Sequence, residues 1–106
     1  MNQHIAIVFY DLPIKTKKQL RTYNQFRKKL MKTGFYQLQK SVYIKKLYNT
    51  DMKKTLLNKL NEIIPKEGDI RLITLTLKQF NSTFHLLGET KFPEKIFKEE
   101  TTIIEL

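Results

Sequence analysis

The 106-residue chain contains no cysteine and no tryptophan, and only three glycines, three prolines and two histidines. Without cysteine there can be no disulfide and no thiolate metal site, which fits a reducing compartment. Three scattered glycines do not make a glycine-rich phosphate loop. His4 and His85 are far apart in the sequence and read as structural or solvated side chains, so neither a His/Cys metal cluster nor a Ser/His/Asp arrangement is built from them. No apolar run approaches the roughly 18 residues of a membrane helix, and the first residues do not show a basic stretch leading into a long apolar one. A soluble, cytoplasmic protein is expected. The most informative shortage is of acid: no Asp or Glu occurs between Leu12 and Thr50.

That gap shapes the charge distribution. The formal net charge is +10. Residues 1–50 hold eleven Lys and Arg against Asp11 alone, whereas residues 51–106 hold nine basic and nine acidic residues. The whole net charge lies in the first half, a pattern that points to a polyanionic partner, most simply nucleic acid. The plainer alternative is a basic surface kept for solubility.

One domain is the natural count for this length. Ile5-Ala6-Ile7-Val8-Phe9-Tyr10 is an unbroken apolar and aromatic run, rich in β-branched residues, and reads as a buried central strand. Pro13 cannot donate to a sheet ladder, so the strand ends near Asp11. Lys15 to Thr33 reads as a helix. At about 100° per residue, Leu20, Tyr23, Phe26, Leu30 and Met31 fall on one side and Lys17, Lys18, Arg21, Lys28, Lys29 and Lys32 on the other. Thr16 is placed to cap its start and Gly34 to follow its end. Arg27 lies at the edge of the apolar stripe, where it snorkels or pairs with an acid or a phosphate.

Phe35 to Gln39 and Ser41 to Leu47 read as short strands. Asn49-Thr50-Asp51 starts a second helix, with Met52, Leu56, Leu57, Leu60, Ile63 and Ile64 as its apolar stripe and Pro65 and Gly68 as its end. Ile70 to Leu77 is a further strand, Lys78 to Phe84 a turn or short helix, and His85 to Leu87 a candidate short strand. The order β-α-β-β-α-β is the ferredoxin-like plan, an α+β fold with helices on one face of a four-stranded antiparallel sheet. Residues 1–88 form this domain. Residues 89–106 form an extension, a polar linker ending in the β-prone Thr101-Thr102-Ile103-Ile104-Glu105-Leu106. A lone strand needs an edge to pair with, so Ile103 and Ile104 are expected to join a sheet in a second subunit; the plainer reading is a frayed tail.

RNA-recognition motifs share this fold, but their third strand carries a basic-Gly-aromatic signature. Here that strand reads Ser41-Val42-Tyr43-Ile44-Lys45-Lys46-Leu47, without glycine. The remaining candidate for chemistry is Asp11. One carboxylate does not hold Mg²⁺ alone, yet that ion keeps several waters and needs few protein ligands. In a two-fold dimer every residue appears twice, so two Asp11 carboxylates facing each other would share one Mg²⁺ or Mn²⁺ on the axis. Such an ion activates water or polarises a phosphodiester. The plainer reading is an acid that caps the turn before Pro13.

Taken together, Val8-Phe9-Tyr10-Asp11-Leu12-Pro13, Tyr23-x-x-Phe26-Arg27-Lys28-x-Leu30, Gly34-Phe35-x-x-Leu38-Gln39-x-Ser41-Val42-Tyr43, Leu75-Thr76-x-Lys78-Gln79-Phe80 and Leu87-Gly88 resemble, in collinear order, the CRISPR-associated protein 2 family, in the form found beside single-effector systems. The resemblance implies a homodimer whose C-terminal strand completes the partner's sheet. It implies a bridge between dimers of the integrase, CRISPR-associated protein 1, in a complex that captures duplex DNA and inserts it as a spacer into the CRISPR array. It implies Asp11 as the metal ligand, and Lys15, Lys17, Lys18 and Arg21 as residues tracking the DNA backbone, with Lys78 as a further candidate. Arg27 and Lys28 complete the expected nucleic-acid surface. Family members carry metal-dependent endoribonuclease or DNase activity. Three functions therefore stand side by side: a DNA-binding scaffold, a metal-dependent endonuclease using Asp11, and a stand-alone toxin-like endoribonuclease of related fold.

Overall fold

The computed structural model describes residues 3–90. Seven elements follow one another: β1 (His4–Asp11), α1 (Lys17–Lys32), β2 (Tyr36–Gln39), β3 (Val42–Leu47), α2 (Thr50–Ile63), β4 (Asp69–Thr76) and α3 (Leu77–Asn81). The strands make one antiparallel sheet in the order β2-β3-β1-β4, so the most apolar strand is central. This is the ferredoxin-like arrangement. Residues 91–106, and with them the strand expected around Ile103 and Ile104, lie outside the described residues.

Alternation along β1 sorts its side chains onto two faces. Ala6, Val8 and Tyr10 point to the face covered by α1 and α2, where they meet Phe26, Leu30, Tyr43, Leu47, Leu56 and Leu60 in the main core. Burying each of the Val, Leu and Phe side chains among these contributes about 1.5–3 kcal/mol. The rings of Tyr10 and Phe26 meet edge-on at 5.0 Å between centroids, and those of Tyr10 and Tyr43 stack at 6.0 Å. Leu20 and Met31, expected on the apolar side of α1, are about half exposed. The sheet covers only the middle of that stripe.

The other face carries Ile5, Ile7, Phe9 and Asp11. At the Ile5 end it is closed by α3, whose Leu77 and Phe80 pack with Ile5 and Ile44. Leu77 therefore begins a helix rather than ending a strand, because Thr76 caps it: the Thr76 hydroxyl accepts from Gln79 N at 3.1 Å and Thr76 N donates to the Gln79 side chain at 2.9 Å. No strand forms over His85–Leu87. Phe84, Leu86 and Leu87 are 87, 92 and 93% exposed, and among the described residues no strand pairs with them.

Candidate nucleic-acid interface and carboxylate site

The start of α1 is fixed by a reciprocal cap. Gln19 N donates to the Thr16 hydroxyl at 3.0 Å, while the Gln19 side-chain oxygen accepts from Thr16 N at 3.1 Å and from Lys15 N at 2.9 Å. The same Gln19 amide donates to Glu67 at 3.3 Å, tying the helix start to the loop before β4. This clip presents Lys15, Lys17, Lys18 and Arg21 as an exposed group at one end of the sheet. The first turn contains no acid, so these cations oppose both one another and the positive end of the helix dipole. Lys28, Lys29 and Lys32 continue the exposed face along a helix of 16 residues, about 24 Å long.

The structure brings some predicted residues together and separates others. Lys15, Lys17, Lys18 and Arg21 cluster just beyond the end of β1 that carries Asp11. Arg27 is half-buried, close enough to Tyr10 for its charge to act on that phenol. Lys78 stands on α3 at the opposite end of the sheet, because Thr76 pairs with His4 while Asp69 pairs with Asp11. The eight residues of β1 put about 26 Å between those two ends. Two basic residues were missed from sequence. Lys66 lines a cleft with Thr16, Lys18 and Thr22, brought there by the Gln19–Glu67 contact. Lys45 donates to the Thr33 carbonyl at 2.9 Å, closing the end of α1. Burial, then the Lys59 charge, holds its ammonium below the usual lysine range.

Asp11 is the last residue of β1, exposed on the face away from α1 and α2. Asp69 is its register partner, and Arg71 is the partner of Phe9. These three charged residues thus share one face and one end of the sheet. Arg71 grips Asp69 with two bonds, Nε to Oδ1 at 3.0 Å and Nη2 to Oδ2 at 3.1 Å. That guanidinium holds the Asp69 carboxyl below its usual range. Gly68 lets the turn before β4 pass close against the end of β1. Its φ is +110°, and a Cβ there would collide with the Leu12 side chain and sit 3.0 Å from the Asp11 carbonyl.

A model of the family described as "CRISPR associated protein Cas2" matches residues 4–83. The chain belongs to the Cas2 family. It is 38% identical over 86 residues to a CRISPR-associated endoribonuclease Cas2 of Treponema denticola, covering 81% of this chain and 85% of the relative. With the protein of the same name from Acidovorax ebreus it shares 39% identity over 89 residues, 84% of this chain and 87% of that one. In fold it is similar to the crystal structure of Streptococcus pyogenes Cas2 at pH 6.5, with a TM-score of 0.60 and 22% identity over 79% of this chain and 99% of that one.

Whether this Cas2 chain offers a metal site can be judged from its donors. The oxygens of Asp11 are the hard, anionic kind that Mg²⁺ takes. Among the described residues, however, no group of three or more His, Cys, Asp or Glu side chains could hold an ion, and Asp69 is engaged by Arg71. Among the described residues, this end of the sheet therefore offers Asp11 as a carboxylate that no cation holds, which is short of a complete ion site. No described helix is long and apolar enough to cross a membrane.

Proposed function

We propose that this Cas2-family chain acts in CRISPR adaptation as a homodimeric scaffold that binds duplex DNA and bridges dimers of the integrase, CRISPR-associated protein 1, for insertion of new spacers. The observation that carries this reading is the acid-free, Lys- and Arg-rich surface of α1, with four exposed cations gathered at its start. Contacts from such a surface go to phosphates and are largely independent of sequence. The homodimer is supported by the opposite face. Phe9, Tyr36 and Ile73 are 39, 50 and 47% exposed there, and Phe84, Leu86 and Leu87 are nearly fully exposed beyond it. A second copy is the occupant that would cover both patches by symmetry.

A second reading, a metal-dependent endonuclease, rests on the position of Asp11 and on the endoribonuclease names of the relatives. In it, Asp11 of each subunit would hold one Mg²⁺ or Mn²⁺ on the dimer axis. The ion, when bound, supplies water activation or polarisation of a phosphodiester. The chain's own part is to hold Asp11 at the end of a buried strand.

Asp11→Asn separates the readings. The scaffold reading expects spacer acquisition to persist in cells carrying the variant, with RNA or DNA cleavage lost or never present. Acquisition that fails together with Mg²⁺-dependent cleavage, in a variant that still dimerises and binds DNA, would overturn it in favour of the nuclease.

A further inference from the structure

The loop between α2 and β4 holds a cation from the second half of the chain against the start of α1. A cleft of about 530 Å³ lies between them, with Lys18 and Thr22 on the helix side and Pro65 and Lys66 on the loop side. The Lys66 backbone is fixed on both sides. The Pro65 ring locks φ before it, and the Glu67 side chain after it accepts from the Gln19 amide at 3.3 Å. Glu67 is the one carboxylate on the cleft walls, and that bond turns it toward Gln19 rather than toward either lysine. Among the described residues, neither Lys18 nor Lys66 has an acidic partner. Lys18, Lys66 and Glu67 leave the cleft with one net positive charge, and it adjoins the cluster of Lys15, Lys17 and Arg21. Two unpaired cations on facing walls repel each other until an anion enters between them.

We propose that this cleft seats a backbone phosphate of the bound nucleic acid between Lys18 and Lys66, so that the nucleic-acid track crosses from the start of α1 onto the loop before β4. This rests on the reading of the protein as a nucleic-acid binder. Lysine acts toward phosphate as a point charge, and a seat of two lysines takes a phosphodiester without regard to the base it carries. Gln19 is a positioning residue here. Its side chain closes the cap of α1 and, through Glu67, sets how far Lys66 stands from Lys18. Lys66 is thus in place before the ligand arrives, and less freedom is lost on binding. The track leads away from Lys78, which stands at the opposite end of the sheet. Lys66 is hidden in the sequence because the acidic and basic residues of the second half balance.

The test uses the full chain, with a fluorescein-labelled DNA duplex as probe and EDTA present throughout. Lys66→Gln should weaken binding and reduce the salt slope by about 0.9 for the phosphate lost, so that affinity falls about 3.5-fold less between about 50 and 200 mM salt. Lys53→Gln removes an equal charge near the start of α2, at the far end of that helix from the loop, and should leave the slope close to that of wild type. The tie is read at position 67, where Gln keeps an acceptor for the Gln19 amide and Ala does not, at equal charge. Glu67→Gln should therefore bind several-fold more tightly than Glu67→Ala, and that gap should vanish in the Lys66→Gln background. An unchanged slope in Lys66→Gln overturns the proposal, and so does an equal loss in Lys53→Gln, which would be a general charge effect. Glu67→Gln and Glu67→Ala binding alike, or differing as much without Lys66, overturn it as well, since the tie would then not act through that lysine. If the wild-type protein binds duplex with no salt dependence, the broader reading fails first; a steep wild-type slope that Lys66→Gln leaves unchanged sinks this inference alone.

Discussion

Replacing Lys17, Lys18 and Arg21 together by Gln gives a perturbation whose effects on binding and on folding have opposite signs. The three side chains are exposed on the first two turns of α1. Each phosphate contact on B-DNA contributes about 0.9 to the negative slope of log affinity against log salt. Three lost contacts per subunit flatten the slope by about 2.7, so the fall between about 50 and 200 mM salt becomes about 40-fold smaller for each subunit engaged. Folding should respond the other way. Lys17 and Arg21 are four residues apart, Lys18 and Arg21 three, and each like-charged pair costs about 0.2–0.5 kcal/mol. Cations in the first turn oppose the helix dipole by a further 0.3–1 kcal/mol each at most, roughly. The variant should therefore melt at the wild-type temperature or slightly above it. Fluorescence anisotropy over a salt series and a thermal melt by circular dichroism measure both. An unchanged slope refutes the assignment of these cations to phosphate. A lowered melting temperature refutes the account of the helix start as electrostatically strained.

Gly68→Ala should destabilise by roughly 1–3 kcal/mol, the cost of a strained positive φ, with the added clash against Leu12; urea unfolding reads it. Phe26→Ala should cost about 3–5 kcal/mol through the cavity it leaves in the main core, read the same way. Burial first, then the adjacent Tyr43, raises the Tyr10 phenol well above the ordinary value of 10.0. The unfolded chain therefore loses this proton near pH 10 while the native state keeps it, and stability contributed below that pH is lost as pH rises. The difference in urea midpoint between wild type and Tyr10→Phe should be constant below about pH 9 and shift in favour of Phe above about pH 10.

Much of the fold was legible because it is written in local signals. An unbroken apolar run before Pro13 marks β1, Thr16 and Gln19 form the cap of α1, and Asn49 accepts from Met52 N at 2.9 Å at the start of α2. Each depends on neighbours within four residues. What was not legible depends on pairing. Asp69 and Arg71 are ordinary charged residues until the register sets them beside Asp11 and Phe9. His85–Leu87 was read as a candidate strand, but composition supplies no neighbour, and among the described residues there is none. A turn or short helix after β4 was expected, but its start was set one residue late: Leu77 continues the apolar pattern of β4, and the Thr76 cap, closed by Gln79 three residues on, is a local signal that was passed over. Of the candidate site, the cluster at the start of α1 could be read from charge alone, whereas its separation from Lys78 needed the strand direction.

The division of charge between the two faces constrains how the proposed functions coexist. The outer face of α1 is cationic without compensation. The opposite face of the sheet carries Asp11, Asp69, Arg71 and Lys46, which sum to zero, among Ile7, Phe9 and Ile73. Two cationic faces would repel if brought together, whereas two neutral, half-apolar faces would not. In the proposed dimer, then, the copies meet through the sheet faces and leave both α1 surfaces outward, so dimerisation and phosphate binding use different surfaces. A charge placed in the first need not damage the second. Phe9→Glu, at a position 39% exposed on the sheet face, should dissociate the dimer in light scattering while each subunit keeps its own cationic helix. The salt slope for duplex binding should fall to about half rather than to zero, since half the phosphate contacts remain on each subunit. A monomeric Phe9→Glu protein with the full wild-type slope would place all the contacts on one subunit, and a slope near zero would mean that the cationic surface is assembled only across the interface.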